Sequence, residues 1–149
     1  MSGIVGIDIG VRHFAYAKIN SDGIETHYHE TPKSTRHNEL RDLQNKFQQH
    51  IHKDDVVWLE EPPLAGSRNV RIAIQLNQTA GALMVSSVAP AYFVSVAQWK
   101  KAVLGKGNAT KDEVNDFVAN HFSKYHKAAH GNQNIIDAIC IGLYGCEIS

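Results

Sequence analysis

The stretch IVGIDIG at residues 4–10 decides the fold. It is a short apolar run of the kind found in buried strands, and one acid, Asp8, interrupts it. Because side chains alternate across a strand, we expect Ile7 and Ile9 to face into packing and Asp8 to face the other way. An acid in an apolar central strand is costly unless it is paired or bound to a metal. Asp8 is therefore a candidate site residue, and a strand-end acid that accepts backbone donors is the structural alternative.

Apolar periodicity predicts the elements that follow this first strand. Residues 13–20 and 24–30 form two further strands joined by a turn, and a helix spans about residues 35–52. Residues 56–60 form a fourth strand, a helix capped by Ser67 runs to residue 87, and a fifth strand covers residues 91–96. Helices at residues 96–104, 110–125 and 134–145 complete the pattern.

The order of these elements indicates one α/β domain over residues 1–149, without an internal repeat or a long linker. It is similar to the element order of the ribonuclease-H-like fold. That fold implies a five-stranded mixed sheet of order 3-2-1-4-5 flanked by helices.

Composition adds constraints on compartment and partners. Cys140 and Cys146 are the two cysteines of the chain and are expected to be reduced core thiols in a cytosol-like compartment. Residues 72–99 carry no charge, but polar residues interrupt the run, so we expect a buried helix and a buried strand rather than a membrane span. These features predict a cytoplasmic protein, in the host cytoplasm if its origin is a phage or virus.

Charge is balanced overall but distributed unevenly. The formal net charge of +0 gives no general signal for nucleic-acid binding. Lysines are concentrated at residues 100–127, whereas residues 54–61 contain acids and no base. This separation suits an acidic metal centre beside a phosphate-attracting surface, and an ordinary solvated charge pattern is the alternative.

Further acids extend the candidate site around Asp8. Glu60 and Glu61 end the fourth strand and point to opposite faces, so only one of them can join Asp8. Asp137 lies in the apolar helix NIIDAICIGLYG, where burying an acid costs free energy unless the acid is paired or bound to a metal. Asn134, three positions earlier, shares its helical face and offers either an amide oxygen or an N-cap. Such an oxygen-rich cluster is what Mg²⁺ prefers.

These motifs together resemble the RuvC family of Holliday-junction resolvases. GIDIG, the strand ending in LEEP, the stretch VLGKGNATKDEV and a late helix with an acid before AICIGL occur in family order and span nearly the whole chain. The resemblance implies a metal-dependent endonuclease that cleaves four-way or other branched DNA and leaves a 5′-phosphate. It also implies a homodimer, because a junction has two equivalent strands to be cut, and it implies no nucleotide cofactor.

The resemblance also implies roles for individual residues. Asp8, Glu60 and Asp137 correspond to catalytic ligands of two Mg²⁺ ions, for which Mn²⁺ can substitute. Asn134 stands where the family usually has another Asp or His, and His130 is an alternative source of that ligand. Lysines near the scissile phosphate correspond to Lys100 and to Lys111, the latter a catalytic residue.

Other basic residues are candidates for DNA contact. Lys101 and Lys106 cluster with Lys100 and Lys111 around the glycine loop, where we expect them to lie beside DNA rather than to pair with acids. Arg68 and Arg71 are expected on the first turns of the helix after the catalytic strand. The family often has a junction-opening aromatic after the catalytic glutamate, whereas this chain has Pro62, Pro63 and Leu64.

Three alternatives remain at this point. A nuclease of the same fold could act on RNA precursors, since a metal cluster sets the chemistry and not the substrate shape. GIDIG also resembles the phosphate-binding turn of actin-like ATPases and sugar kinases, although those proteins need two such halves. A non-catalytic junction-binding protein would explain Asn134 at a ligand position.

Overall fold

The structure, a computed structural model, describes residues 2–62 and 69–148. The strands are β1 (Ile4–Ile9), β2 (His13–Asn20), β3 (Gly23–Glu30), β4 (Val56–Glu60) and β5 (Ala91–Val94). The helices are α1 (Arg36–His50), α2 (Val70–Ser86), α3 (Val96–Leu104), α4 (Lys111–His121), α5 (Ser123–Ala128) and α6 (Gln133–Ile148).

The strands form one mixed sheet in the order β3-β2-β1-β4-β5, which confirms the predicted order. β2 pairs antiparallel with both β1 and β3, while β1, β4 and β5 run parallel to one another. The carboxyl ends of β1, β4 and β5 therefore meet at one edge of the sheet. Asp8 and Glu60 are both at that edge, because β1 and β4 end there.

Helices cover both faces of the sheet and create two apolar clusters. One cluster includes Ile7 and Ile9 and lies under α1, whose buried residues include Leu43 and Phe47. The other cluster lies between the sheet and α6, and its largest member is Trp99. Ile7 and Ile9 thus pack on the α1 side, as predicted, and Asp8 is left on the α6 side.

Two glycines let α6 lie directly against β1. A Cβ added to Gly6 would meet the backbone oxygen of Ala138 at 2.1 Å and the backbone nitrogen of Gly142 at 2.3 Å. Only a residue without a side chain fits at such an approach. The contact brings the first turns of α6, with Asp137, close to the end of β1, with Asp8.

Several predicted element boundaries require correction. The predicted helix over residues 110–125 is two helices, α4 and α5, because Phe122 leaves helical geometry at φ −137° and ψ 57°. The helix expected to be capped by Ser67 begins instead at Val70, where the Asn69 side chain accepts from the Ile72 backbone N–H. Ser67 itself lies outside the described residues. The fifth strand ends at Val94, since Ser95 already caps α3.

The prediction that residues 72–99 are buried is wrong for part of that stretch. α2 buries Ala73, Thr79, Ala80 and Leu83 but leaves Ile74 53% and Val85 79% exposed. The reason is that α2 packs mainly against α1 through one face, so the residues on its other sides remain exposed. In β5, an edge strand, Tyr92 and Phe93 are likewise exposed.

The two cysteines also differ from each other. Cys140 is buried in α6, and burial raises the pKa of its thiol to about 12. Cys146, near the end of the same helix, is exposed, so its assignment as a core thiol is wrong. Within residues 2–62 and 69–148, none of the helices combines the length and the apolar character that a bilayer crossing would need.

Candidate active site

Three acids from different elements meet at the carboxyl edge of the sheet. Asp8 is 5% exposed, and its side chain is hydrogen-bonded to that of Glu60. The carboxylate of Asp137, from α6, acts electrostatically on both of them. The structure therefore brings together the three acids that the sequence singled out.

Crowding and burial change the proton affinities of these acids. Burial, followed by the negative charges of Glu60 and Asp137, raises the pKa of Asp8 well above its usual range. Burial also raises the pKa of Glu60 and of Asp137. Each acid thus favours its neutral form or a neighbouring cation, as expected for carboxylates that share a confined site.

Of the two glutamates at the carboxyl end of β4, only one lies beside Asp8. Glu60 faces Asp8, whereas Glu61 is exposed and its backbone N–H donates to the carbonyl of Val94 at 2.7 Å. Glu60 is therefore the glutamate that lies beside Asp8, as predicted.

Lys100 and Lys111 contribute positive charge to the acidic cluster. Lys100 lowers the pKa of Glu60 and Asp137, and Lys111 lowers that of Asp8 and Asp137. The ammonium group of Lys100 also donates to the carbonyl of Ala109 at 2.8 Å, which holds it beside the loop between α3 and α4. Both lysines named by the sequence thus lie near the acids.

The remaining basic candidates lie in other settings. Lys101 is exposed on α3, and Arg71 is exposed on the first turn of α2. Lys106 pairs with Glu113 at 2.9 Å, so the expectation that these lysines pair with no acid is wrong for this one. The reason is that Gly105 ends α3 in a left-handed conformation, φ 80°, and the chain turns back toward the start of α4.

Arg68 lies outside the described residues, as do Pro63 and Leu64.

The fourth ligand position remains a prediction. Asn134 lies half-buried on α6, but it is not the N-cap, because the side chain of Asn132 accepts from the backbone N–H groups of Asn134 and Ile135. His130 is exposed in a left-handed turn, with φ 50°.

Two side chains that donate hydrogen bonds to the acids were not predicted from the sequence. The Gln133 side chain, rather than that of Asn134, donates to Asp137 Oδ1, at 3.1 Å. Gln133 lies four residues before Asp137, one turn of helix away, and this spacing could have predicted the contact. The indole Nε1 of Trp99 donates to Glu60 Oε1 at 3.0 Å, and no local pattern links those two residues.

The donor set fits Mg²⁺, although it is not a preformed cage. Among the described residues, no group of three His, Cys, Asp or Glu side chains is positioned to hold one metal ion. Yet the three carboxylates supply hard oxygen ligands, and their mutual repulsion is what a dication would relieve. Mg²⁺ usually takes one or two carboxylates and keeps several waters, so pairs of these acids are sufficient.

Comparisons with known proteins identify the family. The family described as "Crossover junction endodeoxyribonuclease RuvC" matches residues 4–144. The RuvC proteins of Chlamydia trachomatis serovars L2 and A are each 27% identical to this chain over 153 aligned positions, which cover 94% of this chain and 88% of the relative.

Solved structures with the same fold include three resolvases. Thermus thermophilus RuvC in complex with a Holliday junction substrate has a TM-score of 0.80 at 21% identity, covering 99% of this chain and 94% of that one. The yeast mitochondrial resolvase Ydc2 has a TM-score of 0.63 at 13% identity and covers 98% and 78%. The Fowlpox virus resolvase, also bound to junction DNA, has a TM-score of 0.56 at 18% identity and covers 98% and 97%.

Proposed function

Because this chain belongs to the RuvC family of crossover junction endodeoxyribonucleases, we propose that it cleaves four-way, or Holliday, DNA junctions by hydrolysis of phosphodiesters. The observation that carries the proposal is the meeting of Asp8, Glu60 and Asp137 in one partly buried cluster beside two lysines. A structural role would not need three acids whose burial and repulsion oppose their own ionisation.

Asp8 is the central residue of the proposed mechanism. Glu60 is hydrogen-bonded to it and the charge of Asp137 acts on it, so Asp8 would hold metal ions together with these two acids. When bound, two Mg²⁺ ions supply Lewis acidity that activates a water and stabilises the leaving 3′ oxygen, and Mn²⁺ can replace them. Because the 3′ oxygen is the leaving group, hydrolysis leaves a 5′-phosphate.

The lysines act on the phosphate rather than on the metal ligands. Lys111 and Lys100 place positive charge where the reacting phosphate becomes most negative, and Lys111 is the catalytic one of the two in this proposal. Lys101, Lys106, Arg71 and Arg68 are proposed contacts to the flanking DNA backbone, which add affinity without sequence preference.

Asn134 completes the site of the Asp137 metal in this proposal, and its neutral amide weakens that site relative to a carboxylate. Asn134→Asp should therefore lower the Mg²⁺ concentration for half-maximal cleavage without changing the products. If that concentration is unchanged while His130→Ala raises it sharply, then His130 holds the position instead.

A homodimer is the proposed assembly. Support comes from α2, where Val70 and Ile74, one turn apart, are exposed on the same side and Ile72 is exposed elsewhere on the helix, a larger apolar surface than one packed helix needs. Light scattering at micromolar concentration should give twice the chain mass of 16.5 kDa. A monomer at that concentration would rule out this assembly.

The decisive experiment compares a synthetic four-way junction with a linear duplex and with an RNA stem-loop, each with and without Mg²⁺. We expect Mg²⁺-dependent cleavage of the junction alone. Glu60→Gln should abolish cleavage, whereas Glu61→Gln, at its exposed neighbour, should cleave like the unmodified protein. Junction binding without cleavage would point to a non-catalytic binding protein and would overturn the proposal.

A further inference from the structure

The indole of Trp99 lies against Glu60 in the interior of the protein. Trp99 is 1% exposed, and its Nε1 donates to Glu60 Oε1 at 3.0 Å. We propose that Trp99 is a positioning residue for Glu60: its N–H holds one carboxylate oxygen so that the other is presented to Asp8 and to a bound metal ion. This inference rests on the proposed function, in which Glu60 is a metal ligand.

The backbone path between the two residues is short and rigid. Glu60 and Val94 are partners in the β4–β5 ladder, which ends with the hydrogen bond from the Glu61 N–H to the Val94 carbonyl. Ser95 follows at once and starts α3 with a capping box. The Trp99 backbone N–H donates to the Ser95 carbonyl at 3.1 Å, within the first turn. The indole is thus fixed relative to the end of β4 by continuous hydrogen-bonded backbone.

An indole has the chemistry that this task requires. Its N–H is a donor only, it does not titrate, and it cannot itself bind the metal. A hydrogen bond to an ionised acceptor is stronger than one between neutral groups, so the contact favours the carboxylate form of Glu60. It thereby opposes the burial that raises the pKa of Glu60.

Lys100, the next residue, supports the same arrangement. Its ammonium nitrogen lies 5.7 Å from the centre of the Trp99 ring and lowers the pKa of Glu60. One turn of α3 therefore gives Glu60 both a fixed donor and a nearby positive charge. Partners that orient a metal ligand in this way typically change metal affinity or activity by 10- to 100-fold when they are removed.

The first test replaces Trp99 by phenylalanine, which keeps an aromatic ring and removes the N–H. Trp58→Phe is the matched control, because Trp58 Nε1 is also buried but has no hydrogen-bond partner among the described residues. We expect Trp99→Phe to need about 10- to 100-fold more Mg²⁺ for half-maximal junction cleavage and to recover at high Mg²⁺. Calorimetry should show the same loss of Mg²⁺ affinity without DNA, and Trp58→Phe should stay within about twofold of the unmodified protein.

The second test keeps Trp99 in place and so does not depend on the folding of the Trp99 variant. Labelling with ¹⁵N gives one indole N–H signal for each of the two tryptophans, and Trp58→Phe assigns them. We expect Mg²⁺ alone to move the Trp99 signal and to leave that of Trp58 in place. Glu60→Gln should also move the Trp99 signal, because it replaces a charged acceptor by a neutral one.

The outcomes separate this inference from the proposed function. If Glu60→Gln cleaves junctions like the unmodified protein, the proposed role of Glu60 fails, and the inference fails with it. If Glu60→Gln is inactive but Trp99→Phe keeps the normal Mg²⁺ requirement, the function stands and the positioning role is wrong. A Trp99 signal that responds to neither Mg²⁺ nor Glu60→Gln would also overturn the positioning role.

Discussion

Gly6→Ala should test whether the close contact between β1 and α6 sets the geometry of the acidic cluster. The added Cβ would lie 2.1 Å from the Ala138 carbonyl oxygen, whereas ordinary contacts begin at 3.4 Å. Because backbone blocks the methyl group, α6 has to move away from β1 by roughly 1 Å. Asp137, the neighbour of Ala138, would move with the helix.

The expected losses are large in both stability and activity. Overpacking against backbone costs about 3 kcal/mol, the upper end of the usual range. For a chain of this size, this energy corresponds to a melting temperature lower by about 12 °C. A misplacement of about 1 Å in a catalytic group can reduce turnover about 100-fold.

Calorimetry and junction cleavage below the melting temperature would measure the two effects. Gly81→Ala is the control, since its Cβ meets nothing within 4 Å and the exchange lies inside α2. It should raise stability by about 0.5–1 kcal/mol and leave cleavage unchanged. A Gly6→Ala protein that melts and cleaves like the unmodified chain would refute the reasoning.

Three further predictions concern charge. Lys100→Ala should make the salt dependence of junction affinity shallower by about one unit in a plot of log affinity against log salt, and an unchanged slope would assign Lys100 to a solvated face. Asp55→Ala should lower the free energy of unfolding in urea by about 3–5 kcal/mol, because it leaves Lys18, its buried partner at 3.0 Å, without that charge. The rings of His27 and His50 are tilted against each other with centroids 4.1 Å apart, and burial lowers the pKa of both below 6.5, so the folded state binds fewer protons than the unfolded state. Stability should therefore fall as pH drops below 6.5, and a His27→Phe melting temperature that falls just as steeply would exclude this pair as the cause.

The sheet and the acidic cluster were predictable because they depend on patterns within short segments. Alternation in residues 4–10 gave the orientation of Asp8, and parallel strands necessarily bring their carboxyl ends together. Asp137 stood out because a charged residue in an apolar helix needs a partner. Similarity to the ribonuclease-H-like fold then added the order of the strands, and the family resemblance added the role of the acids as metal ligands.

What could not be predicted depends on contacts between distant segments. The bond from Trp99 to Glu60 joins two elements with no shared motif, so only the folded chain reveals it. The helix break at Phe122 has no glycine or proline to signal it. Its ring packs instead against the apolar cluster between the sheet and α6, and this tertiary packing overrides helical preference there. The exposure of α2 likewise follows from its place in the fold, since its composition resembles that of a buried helix.

The pairing of β1 with α6 has a consequence for synthesis of the protein. Asp8 leaves the ribosome before Asp137 and the helix that carries it, because β1 precedes α6 in the chain. Until α6 docks, the acidic cluster lacks one carboxylate, and the face of β1 that carries Gly6 and Asp8 has no cover. A nascent or truncated chain can therefore carry Asp8 and Glu60 and still be unable to cut the DNA around it.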